Sequence, residues 1–499
     1  MQQLNPTGGG GEPLSISEPR DTIEADLCVI GAGSGGLSVA AAAAAFGVHV
    51  VLLEKHKMGG DCLNYGCVPS KAMIAAARYA HTMRAGKPFG ITPVEPEIDY
   101  AAVNDHVQSV IAAIEPNDSV ERFSGLGVTV IQAAGSFVDN ATVRAGDRLI
   151  KARRFIVATG STPFVPPIPG LDETPYFTNE TLFDNREKLD HLIIVGGGPI
   201  GMEMAQAHRR LGSRVTVLEG LKAMGKDDPE LASVVLDAVR GEGVDIREGA
   251  MVEKVEGTNG HITVTIKTDA GQETVNGTHL LMAVGRKPNL DGLELDKAGI
   301  AYERSGIKVD AGLVTSNRKV FAIGDCTGGL QFTHVANYHA GIVIRRALFQ
   351  MFWAKVDNAT VPWVTYTSPE IAHVGLSEDA AREKHGKVNV LRWPMHENDR
   401  AQADRTTKGL VKVIVGRKGR ILGASIVGAQ AGELIQMWSL AISQKMKIAA
   451  MMGWISPYPT LSEVNKRVAY RQYATAASNT AVRKVIGQRI DHADHGITI

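Results

Sequence analysis

The stretch ADLCVIGAGSGGLSVAAAAAAFGVHVVLLE, residues 25–54, reads as a buried strand, a glycine-rich turn, a helix and a second buried strand. A second stretch, HLIIVGGGPIGMEMAQAHRRLGSRVTVLE at residues 191–219, repeats the same order. In both copies a glutamate closes the pattern 23 residues after the first glycine. The glycines of G-x-G-x-x-G are Gly31, Gly33 and Gly36 in the first copy and Gly196, Gly198 and Gly201 in the second, and the closing acids are Glu54 and Glu219.

One glycine triplet is weak evidence, but here the strand, turn and helix context and the acid are both present twice. Glycines let the backbone approach a pyrophosphate, the helix N-terminus stabilises its charge, and the carboxylate accepts hydrogen bonds from a ribose diol. The alternative, two structural units without ligands, explains the paired acids less well. The sequence therefore predicts two dinucleotide-binding units.

The segment GGDCLNYGCVPSKA, residues 59–72, places Cys62 and Cys67 five residues apart in a chain with four cysteines. Five residues of regular helix rise about 7.5 Å, while a disulfide needs Cα atoms within about 7 Å. A disulfide therefore requires a distorted backbone, which Gly66 and Pro69 favour. A zinc site and two unlinked thiols are the alternatives at this point.

If the two cysteines cycle between dithiol and disulfide, a flavin is the natural relay from a nicotinamide. The first unit leads directly into Cys62, so we expect it to bind FAD and the second unit to bind the nicotinamide. Glu219 favours NAD(H) over NADP(H), because a carboxylate repels the 2′-phosphate. Arg214 and Lys222 are close enough in sequence to leave NADP(H) as an alternative.

Composition narrows the classes of partner. The 499 residues include 53 basic and 53 acidic side chains, so no net field attracts nucleic acid or an anionic membrane. The N-terminus lacks the basic start and apolar run of a secretory signal, and the apolar stretch 37–53 is interrupted by glycine and histidine. We expect a cytoplasmic protein with no membrane or nucleic-acid partner, acting on a small-molecule or carrier-bound electron acceptor.

From about Ala25 to about Tyr473 the chain resembles the FAD-dependent pyridine nucleotide-disulfide oxidoreductases, which include dihydrolipoamide dehydrogenase and mercuric reductase. The motifs are GGDCLNYGCVPSK, ATG at 158–160, AVGRKPN from 283, FAIGD ending at 325 and TSPEIAHVGLSE from 367. The resemblance implies an α/β fold with two Rossmann-like domains, a C-terminal α+β dimerisation domain and a homodimer. The expected segments are a tail (1–22), the FAD domain (23–162 and 285–358), the NAD(P) domain (163–284), the interface domain (359–475) and a C-terminal tail (476–499).

The resemblance also implies roles for single residues. Cys62 would be the thiol that meets the substrate, and Cys67 the thiolate that faces the flavin. Lys71 would lie near the reactive flavin nitrogen and pair with Glu203, and Asp325 would bind the ribityl region. Further implied cofactor-binding residues are Gly60, Gly135, Thr159, Gly160, Thr333 and Gly285.

One position departs from the family pattern. In WISPYPTLSEVNKR, residues 454–467, Tyr458 occupies the place of a histidine that the partner subunit supplies as acid and base in the disulfide reductases. Phenol titrates near 10 and rarely accepts a proton at pH 7, so we expect weak turnover of lipoamide or glutathione. Glu463 would orient that histidine in the family; here the spacing from Thr460 favours a helix-capping box instead.

A tyrosine at position 458 is similar to mercuric reductase, and a pair of thiolates suits a soft metal ion. However, no cysteine follows Cys326, so the tail cysteine pair of mercuric reductases is missing. No resident metal site is predicted. The sequence leaves three classes of electron acceptor: a disulfide, a soft metal and a quinone-like molecule. An alternative is that the protein is a dihydrolipoamide dehydrogenase or a mercuric reductase proper. Direct transfer from flavin to acceptor, or a non-catalytic redox sensor or complex subunit, are the other hypotheses.

Overall fold

A computed structural model describes residues 21–473 together with 481, 484 and 485. The predicted tails at 1–22 and 476–499 lie almost wholly outside the described residues, and the first strand begins at Asp21. The chain separates into two compact units. Unit 1 comprises residues 1–60, 117–160 and 288–355, and unit 2 comprises residues 61–116, 161–287 and 356–499.

Fourteen α-helices are found in the part of the chain up to residue 473. None of the helices in the described residues is both long and apolar enough to cross a bilayer. The helices are α1 (Ser34–Ala45), α2 (Gly60–Asn64), α3 (Cys67–Arg84), α4 (Tyr100–Ile114), α5 (Val120–Gly125), α6 (Asn179–Leu182), α7 (Pro199–Arg210), α8 (Pro229–Gly241), α9 (Thr333–Ala347), α10 (Glu378–His385), α11 (Asp399–Ala403), α12 (Ala431–Leu434), α13 (Gln436–Ser443) and α14 (Glu463–Tyr470).

The strands alternate with these helices in both units. They are β1 (Asp21–Ile30), β2 (Val50–Leu53), β3 (Thr129–Ile131), β4 (Gly135–Asp139), β5 (Thr142–Ala145), β6 (Arg148–Val157), β7 (Ser161–Pro163), β8 (His191–Val195), β9 (Arg214–Glu219), β10 (Asp245–Glu248), β11 (Met251–Thr258), β12 (His261–Thr268), β13 (Gly271–Gly277), β14 (His279–Met282), β15 (Arg286–Pro288), β16 (Tyr302–Glu303), β17 (Gly306–Ile307), β18 (Val320–Ala322), β19 (Pro362–Thr365), β20 (Glu370–Gly375), β21 (Asn389–Pro394), β22 (Leu410–Val415) and β23 (Ile421–Gly428).

Unit 1 contains the first of the two predicted dinucleotide folds. Its sheet has the order β3-β2-β1-β6-β5-β4, and β18 also pairs with β6. Strands β3, β2, β1, β6 and β18 are parallel, whereas β4, β5 and β6 pair antiparallel. All four residues of β2 are buried, as expected for a parallel strand covered on both faces.

Unit 2 contains the second predicted dinucleotide fold. Its parallel sheet has the order β10-β9-β8-β14, and a separate antiparallel sheet is formed by β11, β12 and β13. All five residues of β8 are buried. Helix α7 follows β8 and packs on β8 and β9, so the second strand, turn and helix unit of the sequence is present as predicted.

Residues 61–116, which the sequence analysis places in the expected FAD domain, group with unit 2 by their contacts. Helix α3 packs on α7, and α4 is bound to the second unit through side chains. The Tyr100 hydroxyl donates to the Leu211 carbonyl at 2.9 Å, and the Asn104 amide donates to the Phe183 carbonyl at 2.7 Å. These contacts join residues distant in sequence, which local patterns do not reveal.

The C-terminal part of unit 2 is an α+β module with its own apolar core. Its five-stranded antiparallel sheet has the order β19-β20-β23-β22-β21. Trp438 on α13 is fully buried, and its indole N–H donates to the Asn465 Oδ1 atom on α14 at 2.7 Å. The chain passes between the two units at 60/61, 116/117, 160/161, 287/288 and 355/356.

A buried lysine ties helix α8 to this antiparallel sheet. The Lys412 side chain is 6% exposed and lies 2.7 Å from Asp228, 3.0 Å from Glu230 and 2.9 Å from Glu378. Asp228 also caps the N-terminus of α8 by accepting from the Glu230 N–H at 3.0 Å. Hydrogen bonds from Lys412 and Arg382 lower the pKa of Glu378 from 4.5 to about 2.

We predict that Lys412→Met lowers the free energy of unfolding by about 3–5 kcal/mol, because it leaves carboxylates in a low-dielectric site without their cation. Urea unfolding followed by fluorescence measures this. Lys254→Met is the matched control, since Lys254 pairs with Glu256 on the surface, and it should cost less than about 1 kcal/mol. An equal loss of unfolding free energy in Lys412→Met and Lys254→Met would contradict the role of Lys412 as a buried cation.

The pKa of Glu378 is lowered on folding, so its stabilising contribution is present above pH 4.5 and is lost as the pH falls through about 2.

Candidate functional site

The first glycine turn is held tightly between two strands of unit 1. The Gly31 N–H donates to the Leu53 carbonyl at 2.8 Å, and Gly31 has a φ of +106°. A Cβ atom on Gly31 would lie 2.4 Å from the Ala158 carbonyl oxygen, and one on Gly36 would lie 1.9 Å from the Gly31 carbonyl oxygen. Neither position accepts a side chain, so both glycines are required by the backbone.

The closing acid of the first copy is bonded to the same turn. The Glu54 carboxylate accepts from the Ala32 N–H at 2.7 Å and from the His56 N–H at 2.8 Å. Gly60, another predicted FAD residue, packs directly on Gly33, because a Cβ atom on Gly60 would lie 2.7 Å from the Gly33 Cα atom. The chain after β2 therefore returns to the glycine turn.

The second copy repeats this geometry in unit 2. Gly196 has a φ of +111°, and a Cβ atom there would lie 2.4 Å from the Ala283 carbonyl oxygen. On Gly201 a Cβ atom would lie 2.0 Å from the Gly196 carbonyl oxygen. The Glu219 carboxylate accepts from the Gly197 N–H at 2.7 Å and from the Leu221 N–H at 2.9 Å. The predicted equivalence of the two copies is thus present at the level of single hydrogen bonds.

Both turns present a helix N-terminus without a side-chain cap. The N-cap residues are Gly33 for α1 and Gly198 for α7, and neither makes a side-chain cap bond. A Cβ atom on Gly198 would meet nothing within 4 Å, so the space in front of that turn is open. Uncapped N–H groups beside open space fit a pyrophosphate. The residues present therefore fit one dinucleotide in each unit.

The other predicted FAD residues all lie in unit 1 except Lys71 and Gly285. The Thr159 hydroxyl donates to the Asn289 carbonyl at 2.8 Å, and the Asn289 amide donates back to the Thr159 carbonyl at 3.0 Å. The two crossover segments are joined by these bonds. Asp325 lies in the short 3-10 helix Gly324–Thr327, Thr333 begins α9, Gly160 has a φ of +69°, and Gly135 packs on Leu53 and Ile30.

The backbone between the two predicted redox cysteines is bent, as a short-span disulfide requires. Helix α2, which carries Cys62, ends at Asn64, and Cys67 begins α3. Gly66 has φ −122° and ψ −111°, and a Cβ atom on it would lie 3.3 Å from the Cys62 Cα atom. The turn therefore folds back on Cys62. Cys62 is half-buried and Cys67 is exposed.

An ion pair joins the helix that begins at Cys67 to α7, the helix of the second glycine turn. The Lys71 Nζ atom on α3 lies 2.7 Å from the Glu203 Oε2 atom on α7, which is the expected pairing. Tyr366 completes this cluster: its N–H donates to the Glu203 Oε1 atom at 2.9 Å, and its ring centroid lies 4.6 Å from the Lys71 Nζ atom. Burial, and then the charges of Glu370, Glu203 and Cys67, raise the pKa of Tyr366. The sequence analysis did not identify Tyr366.

Tyr458, the departure from the family pattern, lies on the surface of the C-terminal module. Its side chain is 71% exposed, and its hydroxyl donates to the Asp399 Oδ2 atom at 3.0 Å. This hydrogen bond and the charge of Asp399 raise the pKa of Tyr458 above its usual value. Even less of this side chain is therefore phenolate at neutral pH than in an isolated tyrosine.

The predicted capping box between Thr460 and Glu463 is wrong. The N-cap of α14 is Ser462, which has helical dihedral angles and makes no side-chain cap bond. The Thr460 hydroxyl donates instead to the Pro457 carbonyl at 2.8 Å. The Glu463 carboxylate pairs with Arg467 one turn later, at 2.7 Å. The spacing was right for a capping box, but a local turn satisfies the threonine first.

A polar network missed by the sequence analysis holds the turn between the cysteines. Asp61 on α2 accepts from the Asn179 amide at 3.0 Å, and its Oδ1 atom lies 3.1 Å from the Arg286 Nη2 atom. The Asn179 amide also donates to the Tyr65 carbonyl at 3.1 Å. The Arg286 guanidinium donates to the side chain and carbonyl of Ser161, both at 2.8 Å. Two quoted motifs contain members of this network, GGDCLNYGCVPSK with Asp61 and Tyr65 and AVGRKPN with Arg286, but nothing in the sequence pairs them.

The two other cysteines are sealed in the core of unit 1. Cys28 on β1 and Cys326 are both fully buried. Burial raises the pKa of both thiols, that of Cys326 to about 12. The Cys326 thiol donates to the Ile323 carbonyl at 3.2 Å. Neither thiol is available as a thiolate at neutral pH.

Within residues 21–473 and the three later described positions, no group of three or more His, Cys, Asp or Glu side chains is arranged to hold a metal ion.

Two family models match the chain. Residues 25–340 match the model described as pyridine nucleotide-disulphide oxidoreductase. Residues 361–469 match the dimerisation domain of the same group.

Individual relatives agree with these matches. The chain is 32% identical to a mercuric reductase of Lysinibacillus sphaericus over 447 residues, covering 89% of this chain and 82% of that protein. It is 32% identical to a dihydrolipoyl dehydrogenase of Staphylococcus aureus, covering 90% and 96%. Among solved structures, the Cu(II) complex of the HOCl-induced flavoprotein disulfide reductase RclA from Escherichia coli superposes with a TM-score of 0.79 at 28% identity, covering 89% and 99%.

Proposed function

The chain belongs to the pyridine nucleotide-disulphide oxidoreductase family, and we propose that it uses NAD(P)H to reduce a thiophilic metal ion through Cys62 and Cys67. The observation that carries this proposal is the combination of the bent cysteine turn with a phenol, hydrogen-bonded to a carboxylate, at position 458. The bent turn supports a cysteine pair that cycles between dithiol and disulfide. The phenol argues against a dithiol substrate, because the oxidation of such a substrate needs a base.

The electron balance is that of a two-electron relay. FAD held at the first glycine turn would supply a two-electron relay between the nicotinamide and a disulfide. The Cys62–Cys67 bond then breaks, and one thiolate and one thiol result with uptake of one proton. The two sulfurs bind the metal ion and return the electrons. One NADH thus reduces two Cu(II) to Cu(I), or one Hg(II) to Hg(0), and releases NAD⁺ and one proton while the disulfide forms again.

Position 458 separates this proposal from an enzyme that oxidises a dithiol substrate. A dithiol substrate must lose a proton before it attacks a disulfide, and at pH 7 only about 3% of an ordinary thiol is thiolate. Tyr458 cannot assist, because its hydroxyl donates to Asp399 and its pKa is raised. A soft metal ion needs no such base, because it binds thiolates directly.

Relatives support the same choice. The relative from Lysinibacillus sphaericus is named a mercuric reductase, and the RclA structure is named a Cu(II) complex. The matched dimerisation domain supports a homodimer. A carrier-bound disulfide acceptor remains the second candidate, favoured by the likeness to dihydrolipoyl dehydrogenase.

We also propose that NAD(H) is preferred over NADP(H). The Glu219 carboxylate lies at the end of β9 beside the second glycine turn. Arg214, one of the two cations that could favour NADP(H), begins the same strand. Five residues of strand span about 16 Å, so Arg214 lies at the opposite end from Glu219. Of these two cations, only Lys222 follows Glu219 closely in the sequence.

The first prediction concerns the cysteines. Changing both Cys62 and Cys67 to serine should abolish NADH-dependent reduction of Cu(II) and Hg(II) while anaerobic reduction of the flavin by NADH persists. The expected loss is at least about 10³-fold in kcat, as for removal of a covalent redox group. Cys326→Ser is the control, and its activity should be unchanged because that thiol is buried. Retained metal reduction in the double variant would favour direct transfer from flavin to acceptor.

The second prediction concerns Tyr458. Tyr458→His should raise dihydrolipoamide turnover by about 10- to 100-fold, at the lower end of what a positioned base supplies, because Glu463 is already paired with Arg467. The gain should appear as the pH rises through about 6.5, where imidazole becomes neutral. Tyr458→Phe has no base and should show no gain. If the wild-type protein already turns over dihydrolipoamide rapidly, the choice of a metal acceptor is wrong.

The third prediction concerns the nicotinamide. NADH should exceed NADPH by about tenfold or more in kcat/KM, equivalent to about 1.4 kcal/mol of repulsion between Glu219 and the 2′-phosphate. Glu219→Ala should reduce this ratio, whereas Lys222→Ala should leave it the same or increase it. Steady-state kinetics with both donors decide the point. A wild-type preference for NADPH would contradict it.

A further inference from the structure

Asp61 places a negative charge against the turn that joins the two cysteines. It directly precedes Cys62, and its Oδ2 atom lies 2.9 Å from the position that a Cβ atom on Gly66, the neighbour of Cys67, would occupy. The Tyr65 N–H donates to the Asp61 carbonyl at 2.8 Å, which fixes the same turn through the backbone. The carboxylate therefore lies beside Gly66, in the turn that connects the two cysteines.

Arg286 supplies the opposite charge to this carboxylate. Its guanidinium is 13% exposed and lies 3.1 Å from the Asp61 Oδ1 atom. Two hydrogen bonds to Ser161 and one of 3.4 Å to the Asn179 Oδ1 atom hold the guanidinium in place. Asn179 bridges the pair to the Tyr65 carbonyl. The Asp61 side chain is 35% exposed, so the largely buried guanidinium is the less screened of the two charges.

Reduction of the cysteine couple changes the charge at this turn. The disulfide is neutral, and two electrons with one proton convert it to one thiol and one thiolate, so the reduced form carries one additional negative charge. Asp61 disfavours that charge and Arg286 favours it. We propose, on the basis of the proposed function, that the Asp61–Arg286 pair sets the reduction potential of the Cys62–Cys67 couple, with Arg286 and Asn179 as positioning residues.

The proposal predicts that removing the charge of Asp61 and removing the charge of Arg286 shift the reduction potential of the cysteine couple in opposite directions. Asp61→Asn keeps a hydrogen-bond acceptor for Asn179 but removes the negative charge, so the reduced couple becomes more stable. Arg286→Gln removes the positive charge, so the reduced couple becomes less stable. A nearby charge changes such an equilibrium by roughly tenfold, which for a two-electron couple is about 30 mV. The double variant Asp61→Asn with Arg286→Gln should return close to the wild-type potential.

The experiment uses the purified flavin-loaded protein equilibrated in dithiothreitol redox buffers. Alkylation of Cys62 and Cys67, measured by mass spectrometry of their peptide, gives the reduced fraction and hence the potential. We expect Asp61→Asn to be about 30 mV more oxidising than wild type and Arg286→Gln about 30 mV more reducing. Arg286→Lys keeps the charge without the forked contact to Ser161, and it should recover most of the potential.

Two outcomes would overturn the inference. Shifts of both single variants in the same direction would indicate a purely structural role for the network, and unchanged potentials would show that the pair lies too far from the sulfurs to act. If Arg286→Gln does not fold, Asp61→Asn and Arg286→Lys still decide the sign. Failure of the proposed function looks different: the wild-type protein itself would then show no Cys62–Cys67 couple that titrates in these buffers.

Discussion

The fold depends on a contact between backbones that leaves no room for a side chain. In each dinucleotide unit the first glycine lies against the carbonyl group where the crossover strand ends, at Ala158 in one unit and Ala283 in the other. The third glycine lies against the carbonyl of the first, at Gly31 and at Gly196. These contacts bring the strand, turn and helix together and leave the helix N-terminus uncapped. The binding surface for a phosphate is thus a consequence of how tightly the strands and turn pack.

Much of this could be predicted from local patterns. The repeat spacing of 23 residues placed Glu54 and Glu219 correctly, because both carboxylates bind the N–H group that follows the first glycine. The bend between Cys62 and Cys67 followed from the reach of a disulfide and the presence of Gly66. The pairing of Lys71 with Glu203 came from the family resemblance, since 132 residues separate them and no spacing rule connects them.

The rest depended on contacts between segments far apart in sequence. Helices α3 and α4 follow the first glycine unit in the chain, yet their packing on α7 and the bonds of Asn104 group them with the second unit. Asp61 and Arg286 are 225 positions apart, and neither residue type alone indicates a partner. The capping box failed for a local reason, because the Thr460 hydroxyl bonds the Pro457 carbonyl within its own turn.

The unequal burial of the four thiols has a practical consequence for studying this protein. Cys28 and Cys326 are enclosed by the apolar core of unit 1, whereas Cys62 and Cys67 are at least partly accessible. A water-soluble maleimide applied to the reduced protein under native conditions would therefore tag just Cys62 and Cys67. No cysteine-free background would have to be engineered, and a tag appearing at either core thiol would report that unit 1 has opened.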